Sequence, residues 1–188
     1  QFFDINEHKQ MLTSGGLGTM GYGLPSAIGA QFAYPDRYVV SINGDGGMQM
    51  NIQELATAVV YELPVIICVL NNGYLGNVRQ WQEMFYKHKY ASTCLRYRKG
   101  TCPKACSNPT AHCPAYTPDF VALAQSYGCQ AMRVCCLEDM EDAFRRAKAE
   151  RTRPTLIEFI IDREMNVMPM VPPGNNLSDM ILESEGEI

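Results

Sequence analysis

The chain has 188 residues, 46% hydrophobic and 19% charged, a balance that supports one folded domain with a substantial core. A net charge of −4 with no long basic run excludes a nucleic-acid footprint, and the longest apolar run, LPVIICVL, is too short to span a bilayer. The first residues, QFFDINEHKQ, show no signal-peptide pattern and lack an initiator Met. They read as mid-chain sequence, so the expectation is a segment of a longer, cytoplasmic protein.

In chain order, SGGLGTMGYGLPSAIGAQFA passes from a glycine-rich loop into a helix expected near residues 25–33. RYVVSI reads as a strand, β-branched and without an alternating polar face. Asn51 and Glu54 have the spacing of a capping box at the start of NIQELATAVVYE. Ile52, Leu55, Ala56 and Val59 then form one apolar helical face. PVIICVL is a strand apolar throughout, as expected where both sheet faces are covered. YLGNVRQWQEMFY reads as a helix. Thr117 and Pro118 form an N-cap and first-turn pair for the helix DFVALAQSYG. AMRVCC is a strand, LEDMEDAFRRAKAE an amphipathic helix and PTLIEFII a last strand. Strand and helix alternate at the spacing of parallel crossovers, so the fold class is α/β, with a mostly parallel sheet flanked by helices. The expected organisation is one domain over residues 1–166, a cysteine-rich insert at 91–117 and a loop-like or lid-like tail at 167–188.

Eight cysteines are few for a disulfide scaffold at this length, and a reducing compartment is expected. Cys68, Cys135 and Cys136 fall in strand-like runs, where free cysteine packs as a small hydrophobe. In the insert, Cys94, Cys102, Cys106 and Cys113, with His112 beside the last, offer ligands for zinc or an iron–sulfur cluster. Their spacings match neither paired CxxC ribbons nor ferredoxins, and a loop of reduced thiols is the competing reading. Arg96, Arg98, Lys99 and Lys104 are expected to keep this loop solvated.

The stretch INGDGGMQMN, after the first strand, carries the chemistry. Gly44, Gly46 and Gly47 let the backbone approach something closely, and Asp45 between them is an anion that wants a cation. A Gly-Asp turn between strands is the bland reading. NNGY follows the next strand, and in a parallel sheet ligands bind beyond the carboxyl ends of the strands. A carboxylate, an amide oxygen and a backbone carbonyl are hard donors suited to Mg²⁺, which commonly shares its shell with a substrate phosphate. One anchored diphosphate accounts for the glycines and the aspartate together.

GDG at 44–46 followed by NN at 71–72 resembles the cofactor motif of enzymes that use thiamin diphosphate. LTSGGLGTMGYGLPSAIGAQ, MNIQELATAV, LNNGYLGNVRQWQEMFY and MPMVPPG together resemble the C-terminal cofactor domain of acetohydroxyacid (acetolactate) synthases, large catalytic subunit. The resemblance runs nearly end to end outside the insert. It implies Asp45 and Asn72 as side-chain ligands of Mg²⁺ and the Tyr74 carbonyl as a third. It also implies backbone contacts from Gly18, Met20, Gly46 and Gly47 to thiamin diphosphate, with Met20 supporting the bent cofactor. Ordinary core packing is the alternative for Met20.

Trp81 resembles a tryptophan that shapes the pocket for the second substrate, the alternative being a core aromatic. Asn77 departs from a methionine common at that helix position. The implied reaction is loss of CO₂ from pyruvate and condensation with pyruvate or 2-ketobutyrate, the first common step of branched-chain amino-acid synthesis. The implied remainder comprises a three-domain chain, FAD on a middle domain, and a catalytic glutamate from the partner subunit of a homodimer. A regulatory small subunit is a further candidate partner. Glu54 does not replace that glutamate, its spacing marking it as a cap. The chain alone is therefore expected to be inactive. Competing readings are a pyruvate oxidase or glyoxylate carboligase type of enzyme, or a catalytically silent cofactor-binding or dimerisation module.

Overall fold

A computed structural model describes residues 3–8, 10–103, 112–116 and 118–183. The chain divides into two units, one formed by Gln1–Asn71 with Thr117–Ile161 and the other by Asn72–Tyr116 with Asp162–Ile188.

The first unit holds a four-stranded sheet in the order β1-β2-β4-β3, from β1 (Val40–Gly44), β2 (Ile66–Asn71), β3 (Gln130–Val134) and β4 (Thr155–Ile160). Every pairing is parallel, with Gly44 beside Leu70 and Leu70 beside Phe159, so all four strands end on one rim. The interior strands β2 and β4 are buried along nearly their whole length, as their unbroken apolar runs require. The edge strand β1 alternates instead: Val40 and Ile42 are exposed while Ser41 and Asn43 face inward. That corrects the expectation of a strand without alternation. The inward polar pair satisfies itself, Asn43 Nδ2 donating to Ser41 Oγ at 2.8 Å.

Helices α1 (Gly23–Ala33), α2 (Asp45–Met48), α3 (Glu54–Val60), α5 (Phe120–Ser126) and α6 (Met140–Ala149) belong to this unit. Ile66, Cys68, Met132, Val134, Ile157, Ala143 and Ala147 form a core cluster between sheet and α6, with Phe144 and Phe159 packed on it. Gly23 is glycine because α1 starts against β1: a Cβ there would stand 2.2 Å from Asn43 Oδ1.

Several local expectations are corrected. The Asn51–Glu54 capping box does not form: α3 starts at Glu54 with Gln53 before it, and no side chain caps it. Asn51 Nδ2 instead donates to the Gly21 carbonyl at 2.9 Å, and the Glu54 carboxylate accepts from Thr57 Oγ1 at 2.8 Å. The α5 cap is Asp119, whose Oδ1 accepts from the Val121 and Ala122 amides, and not the Thr117–Pro118 pair. Thr117 itself lies outside the described residues. Cys68 is buried as expected, and burial pushes its thiol up to about 11. Cys135 and Cys136 lie past the end of β3 and are exposed. There the Cys136 thiol donates to Asp139 Oδ2 at 3.1 Å.

The second unit is built on α4 (Gly76–Phe85). Gln80 grips the tail through two bonds to one residue, accepting from the Val167 amide at 2.9 Å and donating to its carbonyl at 3.0 Å. Glu83 Oε1 accepts from Asn166 Nδ2 at 2.8 Å. A single antiparallel bridge, Met170 with Ile181, folds the tail on itself. Among the described residues, no helix is long and apolar enough to cross a membrane.

Candidate functional site

In the first unit, Asp45 follows directly on β1 and is buried, 2% exposed, at the first position of α2. The bland reading of the sequence, a Gly-Asp turn between strands, does not hold: the chain turns at once into this short helix. The Gly46 amide donates to Asp45 Oδ1 at 2.8 Å. A Cβ added at Gly44 or Gly47 would meet open space. Among the described residues nothing within 4 Å of such a Cβ demands glycine at these two positions, which leaves room beside Asp45. Gly18 (φ +61°) and Gly21 (φ +91°) are left-handed, a conformation that glycine adopts without a Cβ penalty. A side chain at Gly21 would collide with Met50 and Asn51, so this loop is drawn tightly onto the segment after α2. Met20 is 44% exposed and is no core residue. The structure thus gathers Gly21, Asn51 and the α2 segment, a link that sequence reading missed because Asn51 was assigned to a helix cap.

In the second unit, Asn72 Oδ1 accepts from the Tyr74 amide at 2.9 Å, fixing the turn that follows β2 in sequence. Gly73 is left-handed (φ +74°), and a Cβ there would press within 2.9 Å of the Arg96 side chain. A Cβ at Gly76 would come 3.0 Å from Asn72 Nδ2, so glycine there leaves room for the amide. Tyr74 pairs with Cys94 of the insert in an antiparallel bridge. The flanking bonds, Leu95 amide to Gly73 carbonyl and Leu75 amide to Thr93 carbonyl, are both 2.9 Å. In a pair flanked in this way, the central amide and carbonyl point away from the partner strand. The Tyr74 carbonyl accepts no hydrogen bond among the described residues.

Trp81 and Asn77 sit on α4, both exposed, Trp81 at 38%. Beneath them runs a polar row. Arg79, only 7% exposed, pairs with Glu83 Oε2 at 2.9 Å, and the Tyr90 hydroxyl donates to the same oxygen at 2.9 Å. Burial and that bond push the Tyr90 hydroxyl up to about 12. Burial alone would raise the Glu83 carboxyl, but the Asn166, Tyr90 and Arg79 contacts outweigh it and hold it below its usual value. The i,i+4 spacing of Arg79 and Glu83 is a signal available in the sequence.

The insert departs only in part from the expectation of a solvated basic loop: Lys99 is exposed as expected. Arg98 donates to the Tyr97 and Ala115 carbonyls, and Arg96 lies half-buried against Gly73. Among the described residues no three His, Cys, Asp or Glu side chains gather as a metal site. Cys106 and Lys104 lie outside the described residues.

The first unit offers one buried carboxylate beside glycines that leave open space, and the second unit offers one amide oxygen and one carbonyl unengaged among the described residues; each is a donor type suited to a hard cation.

Comparison with known proteins agrees with this chemistry. The family described as "Thiamine pyrophosphate enzyme, C-terminal TPP binding domain" matches residues 1–159. The chain is 42% identical over 180 residues to an acetolactate synthase large subunit of Corynebacterium glutamicum, covering 96% of this chain and 26% of the relative. It is 39% identical over 188 residues to a chloroplastic acetolactate synthase of Arabidopsis thaliana, covering 100% of this chain and 26% of the relative. Among solved structures, a thiamine diphosphate-dependent 4-hydroxybenzoylformate decarboxylase of Rhodococcus jostii RHA1 superposes with a TM-score of 0.60 at 34% identity. That match covers 77% of this chain and 24% of the decarboxylase. The chain spans about a quarter of the length of the curated relatives it matches.

Proposed function

This chain belongs to the thiamine pyrophosphate enzymes, as their C-terminal TPP binding domain, and on that premise we propose that it is the cofactor-holding part of an acetolactate synthase. The reaction is the condensation of pyruvate with pyruvate or 2-ketobutyrate, with loss of CO₂. The observation that carries this reading is the near-complete coverage of the chain by acetolactate synthases at about 40% identity. The donor set described above supports it.

Asp45 and the Asn72 side chain, with the Tyr74 carbonyl, hold Mg²⁺ in this reading, and Gly46 and Gly47 give backbone contacts to the cofactor, the Gly46 amide also holding Asp45 Oδ1. Gly18 and Met20 contact the rest of the cofactor. When bound, the cofactor supplies the nucleophile and electron sink for decarboxylation of a 2-keto acid, and the protein supplies position and electrostatics. Buried Asp45 gives the cation a counter-charge at fixed position. Exposed Trp81 offers an apolar face to the second keto acid. FAD, the partner subunit's contribution to a shared dimeric site, a small regulatory subunit and a cytoplasmic setting belong to the same proposal.

The test is a product assay on the full-length protein with thiamin diphosphate, Mg²⁺ and FAD. Pyruvate alone should yield acetolactate, and added 2-ketobutyrate should divert product to acetohydroxybutyrate. Release of aldehyde or acetate without either condensation product would instead support a decarboxylase or oxidase, and no turnover a silent cofactor-binding module.

A further inference from the structure

Arginine is almost never fully buried unless it is paired, so a 7% exposed Arg79 on α4 asks for a reason. Its guanidinium is held on several sides. The Tyr74 ring lies 5.3 Å from its centre and the Tyr90 ring 4.8 Å, within cation–π range. Nη1 donates to Glu83 Oε2 at 2.9 Å, and Glu83 is itself fixed by Tyr90 and Asn166. Arg79 therefore presses on the side chain of Tyr74 from within a rigid frame.

The backbone of Tyr74 is fixed just as firmly. Residues 93–95, at the start of the insert, bond the Gly73 carbonyl and the Leu75 amide on either side of it, and Asn72 Oδ1 takes its amide. What is left over is the Tyr74 carbonyl, which accepts nothing among the described residues. A loop with a locked ring, locked flanks and one unengaged carbonyl is preorganised for a ligand at that oxygen.

We propose that Arg79 is a positioning residue for the cation: by stacking on Tyr74 it holds the Tyr74 carbonyl and the Asn72 amide oxygen in ligating orientation. This rests on the Mg²⁺ reading given above. Arg79 does not touch the cation or substrate in this scheme; it acts through Tyr74. Groups that orient metal ligands typically govern metal affinity by 10–100-fold.

The test measures, by calorimetry on the full-length apoprotein, how much Mg²⁺ half-saturates thiamin diphosphate binding. Arg79→Met should raise that concentration by roughly tenfold or more. It should leave thiamin diphosphate affinity at saturating Mg²⁺ close to that of the wild type. Arg79→Lys keeps the charge and the Glu83 pair but loses the planar stack, so it should fall between the two. It also carries the test if the Met protein does not fold. An unchanged Mg²⁺ requirement, or a fall in cofactor affinity that excess Mg²⁺ does not restore, overturns the inference. Asp45→Ala separates the failures. If it too keeps the wild-type Mg²⁺ requirement, the cation reading has failed. If it alone loses cation-dependent binding, only the role of Arg79 has failed.

Discussion

Trp81 shows how one residue's chemistry depends on where the helix puts it. A tryptophan on an apolar stripe would serve the core, but here the side chain is 38% exposed while Arg79 and Gln80 take the buried positions. An indole in that setting offers a wall to an external apolar group. If the proposed function holds, Trp81→Leu in the full-length protein should keep acetolactate formation and lose part of the preference for 2-ketobutyrate. One methylene in an apolar pocket is worth about 1–3 kcal/mol, so the shift should be partial. The ratio of the two products at fixed substrate concentrations reads it directly, and an unmoved ratio would remove Trp81 from the pocket. Met20 is likewise exposed, at 44%, and is left out of the core that its side chain could fill.

At the scale of elements, α5 depends on a single residue at its start. Asp119 Oδ1 accepts two backbone amides of the first turn and pairs with Arg133 Nη2 at 2.8 Å. Asp119→Ala should cost about 1 kcal/mol of stability, the usual worth of an N-cap, with the half-exposed ion pair adding little. The Ala122 amide bond leads the contacts that hold the Asp119 carboxyl below its usual value. A carboxyl depressed by folding stabilises above its unfolded pKa, and that contribution fades as the pH falls through the lower folded value. Denaturant melts of wild type and variant should thus differ at neutral pH, begin to approach one another below roughly pH 4, where the unfolded carboxyl protonates, and converge only below the lower folded value.

Among the described residues, the sequence located every strand of the sheet and all the helices of eight or more residues, because apolar runs and 3.6-residue periodicity carry that information locally. It missed what depends on distant partners. Asn51 and Glu54 have capping spacing, yet Asn51 turns to Gly21, thirty positions away. The Asp119 cap was passed over because Thr117–Pro118 is the stronger local signal. Cys135 and Cys136 look like strand residues, but β3 ends at Val134 and releases them to solvent. Asp45, Asn72 and Tyr74 were legible as a motif. The hold of Arg79 and of residues 93–95 on Tyr74 was not, since an insert's pairing with a distant loop leaves no periodic trace.

The whole molecule comprises two units, and each carries part of the proposed donor set. The parallel sheet carries the buried Asp45 carboxylate at the end of β1, and the unit built on α4 carries the Asn72 amide oxygen, the Tyr74 carbonyl and Trp81; that all of them serve one cofactor is the proposal made above. With 26% of the length of its acetolactate synthase relatives, the chain is proposed to anchor the cofactor while other parts of the assembled protein complete catalysis. The most direct test is titration of thiamin diphosphate into the full-length protein, with Mg²⁺ or with a chelator, for wild type and Asp45→Ala. The wild type should bind only when Mg²⁺ is present, and Asp45→Ala should lose that binding with the fold intact by circular dichroism. Equal affinity in the two proteins, or binding that ignores the chelator, would contradict the proposal.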